Sequence, residues 1–147
     1  METTKTFDMQ LIRYANLFGR ITRIDAKHCF IYNNTVVFVV PVALVQAAIG
    51  KDNINLKKMS GIINKRIRVV GQPNGIKDIE KFVGVIVAPI KFEKIEIIAN
   101  EKAEKEIVIS TAGREPKAML IGRGRARETE LKGILEQYFG IRNLRIN

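Results

Sequence analysis

The sequence predicts a mixed α/β fold of the α+β kind, in which one helix-strand-strand-helix-helix-strand unit (αββααβ) is used twice, over residues 1–73 and 74–147. Three observations predict it. Sliding the chain against itself by 72 positions lays Gly50-Lys51 over Gly122-Arg123, Gly61-Ile62-Ile63 over Gly133-Ile134-Leu135, and Val36-Val37 over Val108-Ile109. Self-similarity at a fixed period is the mark of a repeated structural unit. Helical and strand periodicities also follow one another in the same order in each half. Between the halves, Gly71-Gln72-Pro73-Asn74-Gly75 gathers turn formers. A chain of 147 residues, 46% of them hydrophobic, is long enough for two small cores.

Each element has its own signal. Asp8 is placed to cap a first helix whose apolar face is Leu11, Ile12, Ala15 and Phe18, with Gly19 as its stop. Cys29-Phe30-Ile31-Tyr32 and the run Thr35-Val36-Val37-Phe38-Val39-Val40 are rich in β-branched and aromatic residues, and Asn33-Asn34 between them tolerates left-handed turn geometry. That is a hairpin. Pro41 suits a first helical turn, and residues 42–49 form a short, almost wholly apolar helix that the pattern expects to be buried. Past a loop at residues 50–53, Leu56, Met59 and Ile63 mark a second helical face with Lys57, Lys58 and Lys65 off it; residues 66–70 read as a strand.

The second half repeats the order. Asp78 is placed to cap a helix with Ile79, Phe82, Val83, Ile86 and Val87 on one face, ended by Pro89. Residues 94–99 alternate as a half-buried strand, residues 100–106 make a charged turn, and residues 107–110 return. Residues 114–121, with Pro116 in the first turn, match the earlier short helix. Leu131, Ile134, Leu135, Tyr138 and Phe139 then form the clearest amphipathic stripe, and residues 144–146 offer the last strand.

Charge narrows the function classes. Lys and Arg number 25 against 15 Asp and Glu, a formal net charge of +10 and a pI near 9.9, which suits a polyanionic partner. The first 75 residues carry 11 basic and 4 acidic groups, the remainder 14 and 11. Cys29 is the only cysteine, so neither an intrachain disulfide nor a cysteine-based zinc cluster is available, and a reducing compartment is expected. No apolar run approaches the roughly 20 residues of a membrane span, and the N-terminus lacks a signal-like core. The expectation is a cytoplasmic protein with no membrane partner.

The chemistry concentrates in two loops between consecutive helices: Gly50-Lys51-Asp52-Asn53, and Gly122-Arg123-Gly124-Arg125 followed by Arg127. Glycine lets a backbone approach a phosphate closely, and the helix that follows presents the positive end of its dipole. Lys51, Arg123 and Arg125 add charge; Lys57 and Arg127 stand one helical turn on. Other glycine motifs fail. A phosphate loop of the Walker kind would need glycine at Val45 and Ser or Thr at Asp52, and a dinucleotide fingerprint from Gly122 would need glycine at Arg127. His28 is the sole histidine, and alternation sends it and Cys29 to opposite faces of a strand, so no metal site is expected. No nucleophile, base and orienting group can be assembled from spacing. An enzyme is not expected, nor a cofactor, nor a small-molecule substrate.

The αββααβ order, with Ile49-Gly50-Lys51 and Ile121-Gly122-Arg123 at the helix-helix junctions and a 72-residue repeat filling nearly the whole chain, resembles the type II KH domain in tandem, as in the NusA family of transcription termination and antitermination factors. A chain with two such units and little else is similar to the short archaeal members of that family. The resemblance implies a three-stranded sheet in each unit and single-stranded RNA as ligand. KH domains clamp about four nucleotides at a Gly-x-x-Gly loop, with bases over an apolar groove; here Ile49, Ile54 and Ile121 are the groove candidates, and Asn53 and Arg125 replace the usual second glycine. It further implies a role in transcription elongation or termination, alongside RNA polymerase. Two other readings stay open: a ribosomal or ribosome-assembly KH protein, and a protein interaction module whose KH units have lost RNA.

Overall fold

The computed structural model describes residues 5–147, with side chains from residue 9 onward. The chain divides into two compact units, Met1–Gln72 and Pro73–Asn147, and the division falls inside the run of turn formers. In the first unit, α1 (Lys5–Thr22), β1 (His28–Tyr32), β2 (Thr35–Val40), α2 (Val45–Ile49), α3 (Ile54–Ile63) and β3 (Arg66–Gly71) follow one another. The second contains α4 (Ile79–Val87), β4 (Lys94–Ala99), β5 (Lys105–Ser110), α5 (Arg114–Ile121), α6 (Ala126–Phe139) and β6 (Asn143–Ile146). Short 3₁₀ turns precede α2, α3, α4 and α6.

Both sheets have three strands and are mixed, with the second strand of the hairpin in the centre. β1 pairs antiparallel with β2 from His28↔Val39 to Tyr32↔Thr35, and β2 pairs parallel with β3 from Thr35↔Arg66 to Val40↔Gly71. The second sheet repeats this: Lys94↔Ser110 opens the antiparallel ladder and Glu106↔Asn143 the parallel one. A parallel pair needs a long crossover. In each unit that crossover is the pair of helices whose junction carries the glycine loop.

Asn33 and Asn34 both adopt positive φ (52° and 58°), which matches the twist of a two-residue hairpin and explains asparagine there. The first core forms around Phe18 of α1 stacked on Phe38 of β2, ring centroids 4.4 Å apart, with Tyr14, Val36, Val40, Ala48, Met59 and Val69. Burying an aromatic or large aliphatic side chain stabilises by about 1.5–3 kcal/mol. In the second unit Ile79, Phe82, Val83, Ile86 and Val87 of α4 are all buried, as are Leu131, Ile134 and Leu135 of α6. Phe82 meets the ring of Tyr138 at 4.9 Å and that of Phe139 at 5.9 Å.

Several sequence expectations change. α1 is under way by Lys5, so Asp8 stands within it and does not start it. Its core face is Leu11, Tyr14, Phe18 and Ile21, and Ile12 is exposed; the stripe is turned by one residue because Tyr14 buries its ring. Gly19 does not stop the helix. An interior glycine costs about 1 kcal/mol, which packing of Ile21 on the core offsets, and the end comes at Arg23, in left-handed conformation with its N–H donated to the Gly19 carbonyl at 2.9 Å. Thr22 Oγ1 donates back to the Phe18 carbonyl at 2.8 Å. Residues 42–49 are a 3₁₀ turn and then α2, not one buried helix. Ala48 alone is fully buried, Val45 and Ile49 pack on the core, and Val42 and Leu44 face solvent. Asp78 occupies the N-cap of α4 without capping it; its carboxylate accepts the Asn74 N–H at 2.7 Å instead. The charged turn is tighter than expected, because Asn100 Oδ1 accepts the N–H groups of Lys102 and Glu104, so β5 already begins at Lys105.

Candidate nucleic-acid interface

The two helix-helix loops have one backbone path. Gly50 lies at φ 82°, ψ 164°, and Gly122 at 77°, 168°. The third position is left-handed in both, Asp52 at 56°, 31° and Gly124 at 60°, 25°; so is the fourth, Asn53 at 60°, 28° and Arg125 at 63°, 23°. The hydrogen bonds match as well. Gly50 N–H donates to the Gln46 carbonyl at 3.0 Å and Asn53 N–H to the Gly50 carbonyl at 3.1 Å. Gly122 N–H reaches the Ala118 carbonyl at 2.9 Å, and Arg125 N–H the Gly122 carbonyl at 3.1 Å. With asparagine at 53 and arginine at 125, the two loops still have the same shape as each other. Arginine in the left-handed region costs about 1 kcal/mol, and the loop holds it there.

The first glycine is demanded twice over. Its φ is positive with ψ near 165°, a region essentially reserved for glycine. A Cβ on Gly122 would also stand 2.6 Å from Arg127 Cγ and 2.8 Å from the Arg127 nitrogen, and one on Gly50 would stand 2.9 Å from Ile54 Cγ2 and 3.0 Å from Asn55 Nδ2. The start of α3 or α6 is thus pressed against the end of the helix before it. The turn uses the first donors itself: the N–H groups of Asn53 and Ile54 return to the Gly50 and Lys51 carbonyls, and those of Arg125 and Ala126 to the Gly122 and Arg123 carbonyls, with the positive end of the following helix behind each loop.

Side chains dress the two loops differently. Lys51, Asp52, Ile54 and Lys57 line one shallow concavity; Lys51, Asp52, Asn53 and Lys57 are exposed, and Ile54 is 48% exposed. Of the groove candidates Ile54 is the open one. Ile49 packs on the core and Ile121 is half-buried. Asn55 donates through Nδ2 to the carbonyls of Ala48 at 3.1 Å and Ala47 at 3.4 Å, tying α3 to the end of α2. Its equivalent is Arg127, whose stem covers Gly122 and whose Nη1 meets Glu130 Oε1 at 2.9 Å. Arg127 is turned inward. Arg123, Gly124 and Arg125 are exposed, and Arg125 Nη1 holds Glu128 Oε1 at 2.6 Å. Asn55, Glu128 and Glu130 were not singled out from the sequence, although Arg125 to Glu128 and Arg127 to Glu130 have the i,i+3 spacing that makes helical ion pairs.

Among the described residues no group of three or more His, Cys, Asp and Glu could hold a metal, and no helix is long and apolar enough to cross a membrane. Cys29 is half-buried against the first core, and burial pushes its thiol up from 9.0 to about 12. Burial, and then the neighbouring Arg66, lower the Arg68 guanidinium from its ordinary value.

Comparison with family models and with curated proteins finds no match. Among solved structures the chain is similar to one described as "Crystal structure of APE1850", with 26% sequence identity and a TM-score of 0.65 over 95% of this chain and 99% of that one. The two-unit α+β architecture is therefore shared along nearly the full length of both chains.

Proposed function

We propose that this chain is a tandem KH protein that binds single-stranded RNA through its two glycine loops and acts in transcription elongation or termination. The observation that supports the reading is the common backbone of the two loops, which share φ and ψ at the first, third and fourth positions although they share no residue after the glycine. In each, a cation follows the glycine: Lys51 or Arg123. The positive end of the following helix and this cation would take the phosphates, while the half-exposed Ile54 offers an apolar surface to a base. Two sites on one chain would hold a strand with combined avidity, because the second binds at high effective concentration.

The test is fluorescence anisotropy of short single-stranded RNAs, with DNA of matched sequence, across a salt series. RNA preference and a shallow salt slope are expected, since purely electrostatic binding weakens steeply as counterions compete. Lys51→Asp combined with Arg123→Asp should lose far more affinity than either alone, and equal binding by wild type and the double variant would sink the proposal. Co-sedimentation with RNA polymerase, against co-sedimentation with ribosomal particles, separates the transcriptional role from a ribosomal one.

A further inference from the structure

The two loops share a backbone but not a charge environment. Within residues 50–58, Lys51, Lys57 and Lys58 face a single carboxylate, Asp52, and none of the three lysines has an ion pair among the described residues. Within residues 122–130, Arg123, Arg125 and Arg127 face two, Glu128 and Glu130, and both are engaged. By the 72-residue repeat, the positions equivalent to Glu128 and Glu130 are Leu56 and Lys58. The carboxylates therefore belong to the second loop alone. Glu128 is also well placed to compete with a ligand. Its side chain is 15% exposed while that of Arg125 is 71% exposed, so a sheltered carboxylate holds one end of a side chain that stays open to solvent.

Resting on the RNA-binding reading above, we infer that the loops are unequal: the first anchors the nucleic-acid backbone, and the second is held self-paired by Glu128 and Glu130, its arginines reaching phosphate only in exchange for these carboxylates. In the resting chain Arg123 is the one loop cation of the second unit without an ion pair among the described residues. An ion pair with its guanidinium side chain open to solvent, as at Arg125, is a weak restraint. The exchange is accordingly reversible, and the device sets relative strength rather than blocking the site.

The test counts phosphate contacts with the full chain and a fluorescein-labelled single-stranded oligouridylate, affinity being measured over a salt series. Each cation that neutralises a phosphate on a single strand adds about 0.7 to the slope of log affinity against log salt. Lys51→Ala should flatten that slope and weaken binding more than Arg123→Ala. Arg125→Ala should leave the slope unchanged in the wild-type background. Glu128→Gln should raise affinity by about two- to fivefold, the range of an exposed ion pair, and steepen the slope, and in that background Arg125→Ala should now flatten it. Glu130→Gln provides the same gain through Arg127 and serves as a second variant should Glu128→Gln melt early by circular dichroism. Wild-type binding with no gain in a folded Glu128→Gln or Glu130→Gln chain, or equal losses from Lys51→Ala and Arg123→Ala, overturns the inequality while leaving RNA binding standing. No binding by the wild type at low salt removes the RNA reading, and this inference with it.

Discussion

Replacing Gly122 by alanine tests whether the loop geometry is imposed by the backbone. At φ 77°, ψ 168° any Cβ is strained, at about 1–3 kcal/mol for such a region. The added methyl would also meet Arg127 Cγ at 2.6 Å and the Arg127 backbone nitrogen at 2.8 Å. The stem can swing away, but the nitrogen belongs to the first turn of α6 and moves only with the helix, which adds an overpacking cost of about 1–3 kcal/mol. The sum is about 2–6 kcal/mol, enough at about 4–8 °C per kcal/mol to lower the melting temperature of a unit this size by about 8 °C or more. Gly50→Ala should cost less, because the nearest atoms are side-chain ends, Ile54 Cγ2 at 2.9 Å and Asn55 Nδ2 at 3.0 Å. Gly124→Ala should cost least, about 1 kcal/mol for a left-handed alanine, since nothing lies within 4 Å of its Cβ. Urea and thermal unfolding followed by circular dichroism give the order. A Gly122→Ala chain within about 0.5 kcal/mol of wild type, or a Gly124→Ala chain as unstable as Gly122→Ala, would refute the reasoning.

Two further outcomes are expected. Asn55→Ala removes the bonds to the Ala47 and Ala48 carbonyls and should cost about 1 kcal/mol; hydrogen exchange at the Gly50 and Asn53 amides should quicken while that of β2 holds, and unchanged loop exchange would show that the asparagine ties nothing. Cys29 should be alkylated by iodoacetamide far more slowly at pH 8 in the native chain than in urea, because its folded thiol, at about 12, lies above the ordinary 9.0. The stability this contributes is fully present below pH 9.0 and lost as pH rises toward about 12; equal native and unfolded alkylation rates would contradict the burial.

What the sequence made legible was whatever depends on near neighbours. The stripe from Ile79 to Val87 and the Asn33-Asn34 turn follow from spacing and from asparagine's tolerance of positive φ, and both stand as read. Ile12 was placed inward and Tyr14 overlooked because a tyrosine counts as apolar only once its ring has a core to enter, and Phe38 belongs to another element. Gly19 looked like a stop because local propensity takes no account of Ile21 packing on that same core. Glycine and charge locate the loops, and asparagine at 53 suits the left-handed shape of the first, but the shape of the second is not legible with Arg125 at the same place. Asp52 and Asn53 are residue types that bear positive φ, but the left-handed conformation at Arg125 runs against local preference and arises where two helices must meet end to start. The Arg125–Glu128 pair, by contrast, could have been read from its spacing.

The shared path of the loops bears on which residues the turn requires. Only the leading glycine is fixed by space, at Gly50 and Gly122, while the turn is closed by the fourth residue's N–H on the glycine carbonyl. Lys51-Asp52-Asn53 and Arg123-Gly124-Arg125 differ at every position and still share one form. A search that demands a second glycine three residues after the first would pass over both loops. One that asks for a lone glycine between two helices, followed by a cation and by residues able to bear positive φ, would find them.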